Sequence, residues 1–149
     1  SLARLGVPED DITTIMFSDH GVALYGNAVI VNTDFAAENP EAVTGALTAI
    51  AMGWKDAIAD PAAGAAAVIE RNPAGDVELE TRRLQLAIDG NVLTDYVIEN
   101  GMGTVDPERM ALALEQMTLT YDFQNEPDMS LYFTDAFLPD ADVLMIAPE

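Results

Sequence analysis

Thr13-Thr14-Ile15-Met16-Phe17 is a short run of apolar and β-branched residues, entered from Pro8-Glu9-Asp10-Asp11 and closed by Ser18-Asp19-His20-Gly21. Such a run between turn formers predicts a strand. Ala28-Val29-Ile30-Val31 follows, apolar without alternation and bounded by Gly26-Asn27 and Asn32, as expected of a strand covered on both faces. The two runs together imply a parallel sheet with helices packed against it.

Past residue 39 the punctuation changes. Asn39-Pro40, Asp60-Pro61 and Asp106-Pro107 each place a capping side chain before a proline suited to the first position of a helix. In the first of these helices Val43, Leu47, Ile50, Trp54 and Ile58 recur at helical spacing and predict one buried face. The second, from Ala62 to about Arg71, is alanine-rich and narrow, and Asn72-Pro73-Ala74-Gly75 ends it. A third is expected from near Asp76 to Asp89, closed by Gly90-Asn91. The last, Pro107 to Tyr121, carries Met110, Leu114, Met117 and Tyr121 on one stripe with Leu112 and Leu119 beside it, which implies contacts on more than one side. The fold class read from this pattern is α/β, helix-rich, with two short strands at the front.

At 149 residues and half apolar, the chain can form one compact domain but not two full lobes around a cleft. Six basic residues against 26 acidic ones give a formal charge of -20. That charge repels phosphate backbones and anionic lipid, so no nucleic-acid partner is expected. It reads as a solvated acidic surface of the kind suited to a salty habitat. No acidic loop has the ligand spacing of a calcium site. Without cysteine, thiolate catalysis and zinc-cysteine sites are excluded. No apolar run is long enough to span a bilayer, and Ser1-Leu2-Ala3-Arg4-Leu5-Gly6 lacks the blocks of a signal peptide, so a leader removed or upstream sequence missing is expected.

Candidate chemistry is sparse. His20 is the one histidine, and acid-base or nucleophilic work built on it needs a partner in a geometry that its neighbour Asp19 is poorly placed to give. No catalytic residue, metal site or cofactor is therefore expected. Gly101-Met102-Gly103 lacks the rest of a phosphate loop and reads as a turn. Trp54 lies on the apolar stripe and reads as core packing rather than as a ligand-stacking ring. Tyr121-Asp122-Phe123 and Tyr132-Phe133 read as packing aromatics at helix ends. The segment from Ser18 to Asn27 differs in kind, because it gathers an acid, an imidazole, a phenol and an amide with two glycines between the expected strands. Open α/β sheets place ligands in such connections, and Asp19, His20, Tyr25 and Asn27 are the candidate ligand contacts. An ordinary polar connection has the same composition.

Several stretches carry a family resemblance. They are Gly6-Val7-Pro8-Glu9-Asp10-Asp11-Ile12, Ser18-Asp19-His20-Gly21 with Leu24-Tyr25-Gly26-Asn27-Ala28, and Phe35-Ala36-Ala37-Glu38-Asn39-Pro40-Glu41. Gly53-Trp54-Lys55-Asp56 with Ala59-Asp60-Pro61, Asn91-Val92-Leu93-Thr94, Asn100-Gly101-Met102-Gly103 with Val105-Asp106, and Phe137-Leu138-Pro139 continue it. In order and spacing the chain resembles the C-terminal half of ABC-importer solute-binding proteins of the thiamine-pyrimidine precursor (NMT1/THI5-like) family. The resemblance implies the C-terminal part of a type II periplasmic-binding-protein fold. Residues 1–27 would end the second lobe and return between lobes, and residues 28–149 would form the C-terminal part of the first lobe with its packing helices. It further implies a periplasmic protein that hands a small polar molecule to an ABC permease. Because the half bearing most family ligand contacts is absent, self-association or a missing N-terminal half is expected. His20 departs from the family, where an aromatic often stands. Pyrimidine precursor synthases, which consume a histidine of their own, and ligand-sensing domains of signalling proteins share the fold family and are the alternatives.

Overall fold

The computed structural model describes residues 2–125 and 127–146, the side chains of residues 3, 4 and 9 excepted. Ser1, which opens the segment read above for a leader, lies outside the described residues. The chain divides into two compact units, Ser1–Asn27 with Asp106–Pro127, and Ala28–Val105 with Asp128–Glu149.

The expected α/β class is not what the structure shows: the described residues are helical or irregular, with no strand among them. Thr13 to Met16 and Ala28 to Val31 have the composition of strands but no regular structure, and Phe17 opens a 3-10 turn, Phe17–His20. The reason is a missing partner. A strand exists only as part of a ladder of inter-strand hydrogen bonds, and none of the backbone bonds among the described residues reaches 28–31. Ile15 is 68% exposed and Ile30 92% exposed, so neither segment is covered by a sheet face.

In the second unit, α1 (Thr33–Glu38) starts at Asn32, whose side chain accepts from the Phe35 N–H at 2.9 Å. The long helix α2 (Pro40–Ala59) opens on its proline as expected, but Asn39 does not cap it. The Asn39 amide instead donates back to the Phe35 carbonyl at 3.2 Å, closing the preceding helix. Asp60 caps α3 (Pro61–Arg71) through the Ala63 N–H, and Asp76 caps α4 (Val77–Ala87) through that of Leu79. Beyond α4 the chain adds a π-helical turn, Ile88–Val92, closed by the Leu93 N–H on the Ile88 carbonyl at 2.8 Å. Thr94 caps α5 (Asp95–Asn100).

The core of this unit gathers Ala51, Met102, Leu144 and Ile146, with Trp54, Ile58, Leu93, Val97, Leu138 and Val143 packed around them. Along α2 the buried line runs through Val43 and Ala51, with Leu47, Trp54 and Ile58 half-buried, while Ile50 is exposed. The small Ala51 thus takes the place the large-residue pattern gave to Ile50. Ile88, on the π turn, is the most deeply buried large side chain at 1%. Two single-turn helices, α7 (Met129–Tyr132) and α8 (Ala141–Leu144), carry the chain back. The Lys55 ammonium donates to the Asp142 carbonyl at 2.9 Å, tying α2 to α8.

Gly101 ends α5 with φ 83° and ψ 169°, a conformation essentially reserved for glycine. A Cβ there would stand 3.1 Å from the Leu144 Cβ, and the next residue, Met102, donates its N–H to the Leu144 carbonyl at 3.0 Å. Gly101→Ala is therefore expected to lower stability by about 1–3 kcal/mol through backbone strain and the lost approach to α8. A urea titration with an unchanged m-value and midpoint would contradict this.

At Asp128, the Ser130 hydroxyl and backbone N–H both donate to one carboxylate oxygen, at 2.8 and 2.9 Å. These bonds hold the carboxyl below its ordinary value. Since the folded value is the lower one, the cap of α7 is in place above the ordinary carboxylate range. It is lost as pH falls through the lowered value. NMR titration of the Asp128 side-chain carbon should give a midpoint below that of Asp128 in Ser130→Ala; equal midpoints would rule the arrangement out.

Candidate functional site

The first unit is organised by α6 (Pro107–Thr118), which begins at Asp106. The Asp106 carboxylate accepts from the N–H groups of Glu108 at 2.8 Å and Arg109 at 3.3 Å, the capping predicted for it. Arg109, Ala113 and Gln116 follow at helical spacing and share a face. Ala113 is buried, and the two polar side chains on either side of it reach to residues 21–25.

There they replace a ladder. Gln116 donates its amide to the Gly21 carbonyl at 2.6 Å and accepts the Ala23 N–H at 2.9 Å. Arg109 donates from Nε to the Ala23 carbonyl and from a terminal nitrogen to that of Leu24, both at 3.0 Å. The same guanidinium lies over the Tyr25 ring, 4.2 Å from its centroid, and the Tyr25 hydroxyl accepts the Asp106 N–H at 2.9 Å. A guanidinium is planar and presents several donors in a fixed fork, so one side chain can hold two carbonyls and face a ring together.

The four residues singled out from sequence fall around this clamp. Asp19 and His20 sit on the exposed 3-10 turn that ends at Gly21, whose φ of 84° lets its N–H return to the turn carbonyls. Tyr25 is half-buried and lies inside the clamp; Asn27 is exposed two residues beyond it. The structure thus brings Tyr25 to the start of α6 and leaves the other three side chains on the surface. Sequence reading missed Arg109 and Gln116. The available signal was the spacing of seven between two long polar side chains, with a buried-size alanine between them and a capping aspartate three residues before. Arg109 is also one of only six basic residues.

Two adjoining surface recesses lie elsewhere, within the second unit. One of about 300 Å³ is lined by Ala65, Val68, Glu80, Arg83 and Leu84. The other, about 220 Å³, shares Val68 and Leu84 and is walled by Ile50 and Trp54 over Gly53, Ala57 and Gly64. Trp54 is therefore both a wall of this recess and a neighbour of the core. No group of three or more histidine, cysteine or acidic side chains among the described residues could hold a metal ion. No helix among them is long and apolar enough to cross a membrane.

The geometry so far defines a helical chain whose clamped polar loop is its most organised candidate site. Residues 2–64 match the family model described as NMT1/THI5 like, consistent with an NMT1/THI5-like family member. The match contains the whole loop from Asp19 to Asn27 and the start of α3, whereas the resemblance read above in Asn91-Val92-Leu93-Thr94, Asn100-Gly101-Met102-Gly103 and Phe137-Leu138-Pro139 falls outside it. No curated protein and no solved structure matches the chain.

Tyr25→Phe removes the acceptor for the Asp106 N–H at the head of α6. The expected cost is about 1 kcal/mol, with faster hydrogen exchange at the Asp106 amide. Unchanged exchange at that amide would contradict the bond.

Proposed function

We propose that this chain is part of an extracytoplasmic solute-binding protein that delivers a small polar molecule to an ABC permease, with pyrimidine precursors of thiamine as the favoured ligand class. The match of residues 2–64 to the NMT1/THI5-like family carries the reading, because it includes the loop in which the candidate contacts lie. In this reading Asp19, His20, Tyr25 and Asn27 supply the polar contacts made by this part of the protein. The protein binds and releases without turnover: the chain has no cysteine, and its one histidine has no neighbour suited to a catalytic dyad. It works in the periplasm, beside its permease. The exposed apolar residues of 13–17 and 28–31 leave surface that the rest of the protein or another copy would cover.

Native mass spectrometry of the protein purified from its host is the direct test. The expected spectrum contains a bound small molecule that denaturation releases. Single alanine substitutions at Asp19, His20, Tyr25 and Asn27 in that protein should each weaken retention of this molecule. Unchanged retention across the series would remove the site assignment. Saturable conversion of a substrate, lost in His20→Ala, would instead favour the synthase reading.

A further inference from the structure

We infer that Arg109 and Gln116 are positioning residues for the ligand loop of residues 19–27, an assignment that rests on the solute-binding reading above. Neither side chain needs to touch a ligand. Their hydrogen bonds are made to the loop backbone, and they hold adjoining stretches of it that meet at Ala23. Gln116 grips Gly21 and Ala23, the end of the loop that follows directly on the turn bearing Asp19 and His20. Arg109 grips Ala23 and Leu24 and covers the Tyr25 ring, the end that leads on to Asn27.

The two anchors stand seven residues apart on one helix, so α6 separates them by about 10 Å of rise along its axis. A helix is stiff over that length, and the spacing of its side chains is imposed on the loop. Apart from the Asp106 N–H on the Tyr25 hydroxyl, the loop's other hydrogen bonds among the described residues are local to the 3-10 turn. Loss of either anchor should therefore let Asp19 and His20 move independently of Tyr25 and Asn27. A site built from the four would pay for that freedom in affinity, because ordering a loose loop must then accompany binding.

The side chains also differ in what they can lose. Lysine in place of Arg109 keeps the charge but offers a single compact ammonium, which cannot serve two carbonyls and a ring face in the same way. Glutamate in place of Gln116 keeps the acceptor for the Ala23 N–H and loses the donor to the Gly21 carbonyl. Arg109→Lys should loosen the Leu24 to Asn27 end, and Gln116→Glu the end nearer His20.

The test uses the host-made protein, with hydrogen exchange read by mass spectrometry over residues 19–27, thermal unfolding, and calorimetric binding of 4-amino-5-hydroxymethyl-2-methylpyrimidine as the probe. For each variant, exchange over the loop should rise about tenfold or more, with exchange over α2 to α4 little changed and only a modest fall in the unfolding midpoint. Probe affinity should fall about tenfold or more. Asp19→Ala and His20→Ala serve as the contrast, weakening the probe without speeding loop exchange. Unchanged loop exchange in both variants would overturn the clamp, and faster exchange with unchanged affinity would overturn its role in binding. An unmodified protein that does not take up the probe would defeat the pyrimidine-binding reading and the ligand role with it. The exchange data would then still show whether the clamp itself holds. Should Arg109→Lys fail to fold, Gln116→Glu carries the same comparison.

Discussion

Every backbone N–H and C=O taken out of water needs a hydrogen-bond partner, and this chain meets that requirement in two ways. The helices satisfy their own interiors and recruit side chains at their ends: Asn32, Asp60, Asp76, Thr94, Asp106 and Asp128 each accept a backbone N–H at a helix start. In the loop, Arg109 and Gln116 partner the carbonyls of Gly21, Ala23 and Leu24 and the Ala23 N–H, while the Tyr25 hydroxyl accepts the Asp106 N–H. Residues 28–31 have neither kind of partner among the described residues and keep their apolar side chains exposed. The difference between a clamped segment and an unclaimed one is the main physical fact about the chain.

The second unit shows the same incompleteness in its packing. Three of its buried hydrophobic positions, Ala36, Ala51 and Ala65, are alanine, which removes little apolar area from water, and among the described residues Ile88 is the one large side chain that is almost fully enclosed. Meanwhile Ile30, Met52, Val68, Leu86 and Leu131 stay exposed. Apolar surface is worth about 25 cal/mol per Å² when covered, so a few hundred Å² of such residues would supply several kcal/mol to any association that buried them, before the entropy of association is subtracted. The charge of -20 works against two copies meeting. Its reach shrinks to roughly 10 Å or less at moderate salt.

Where local chemistry decides an element, the sequence was informative. Proline after a capping aspartate marked α3 and α6 to within a residue at their starts, and the apolar spacing from Val43 to Ile58 marked α2. Asn39-Pro40 located the start of α2 correctly, but for a different reason, since the Asn39 amide serves the helix before it. The strands failed because their existence depends on a neighbour, which composition cannot supply. Ile50 and Ala51 exchanged roles because a hydrophobic pattern weighs large side chains, whereas close packing also selects small ones. Tyr25 was singled out from loop composition, and the structure places its side chain within the clamp. Arg109 and Gln116 escaped notice because their partners are backbone atoms more than 80 residues away, which leaves no mark at either end.

Two features define the chain: a polar loop held by side chains of one helix, and apolar segments that are exposed and irregular. We propose that this exposed apolar surface is covered when copies of the chain associate. Sedimentation velocity of this chain over a series of salt concentrations tests it most directly. The account predicts self-association that strengthens as salt screens the charge, whereas an ideal monomer at every salt, unfolding in one cooperative transition, would contradict it.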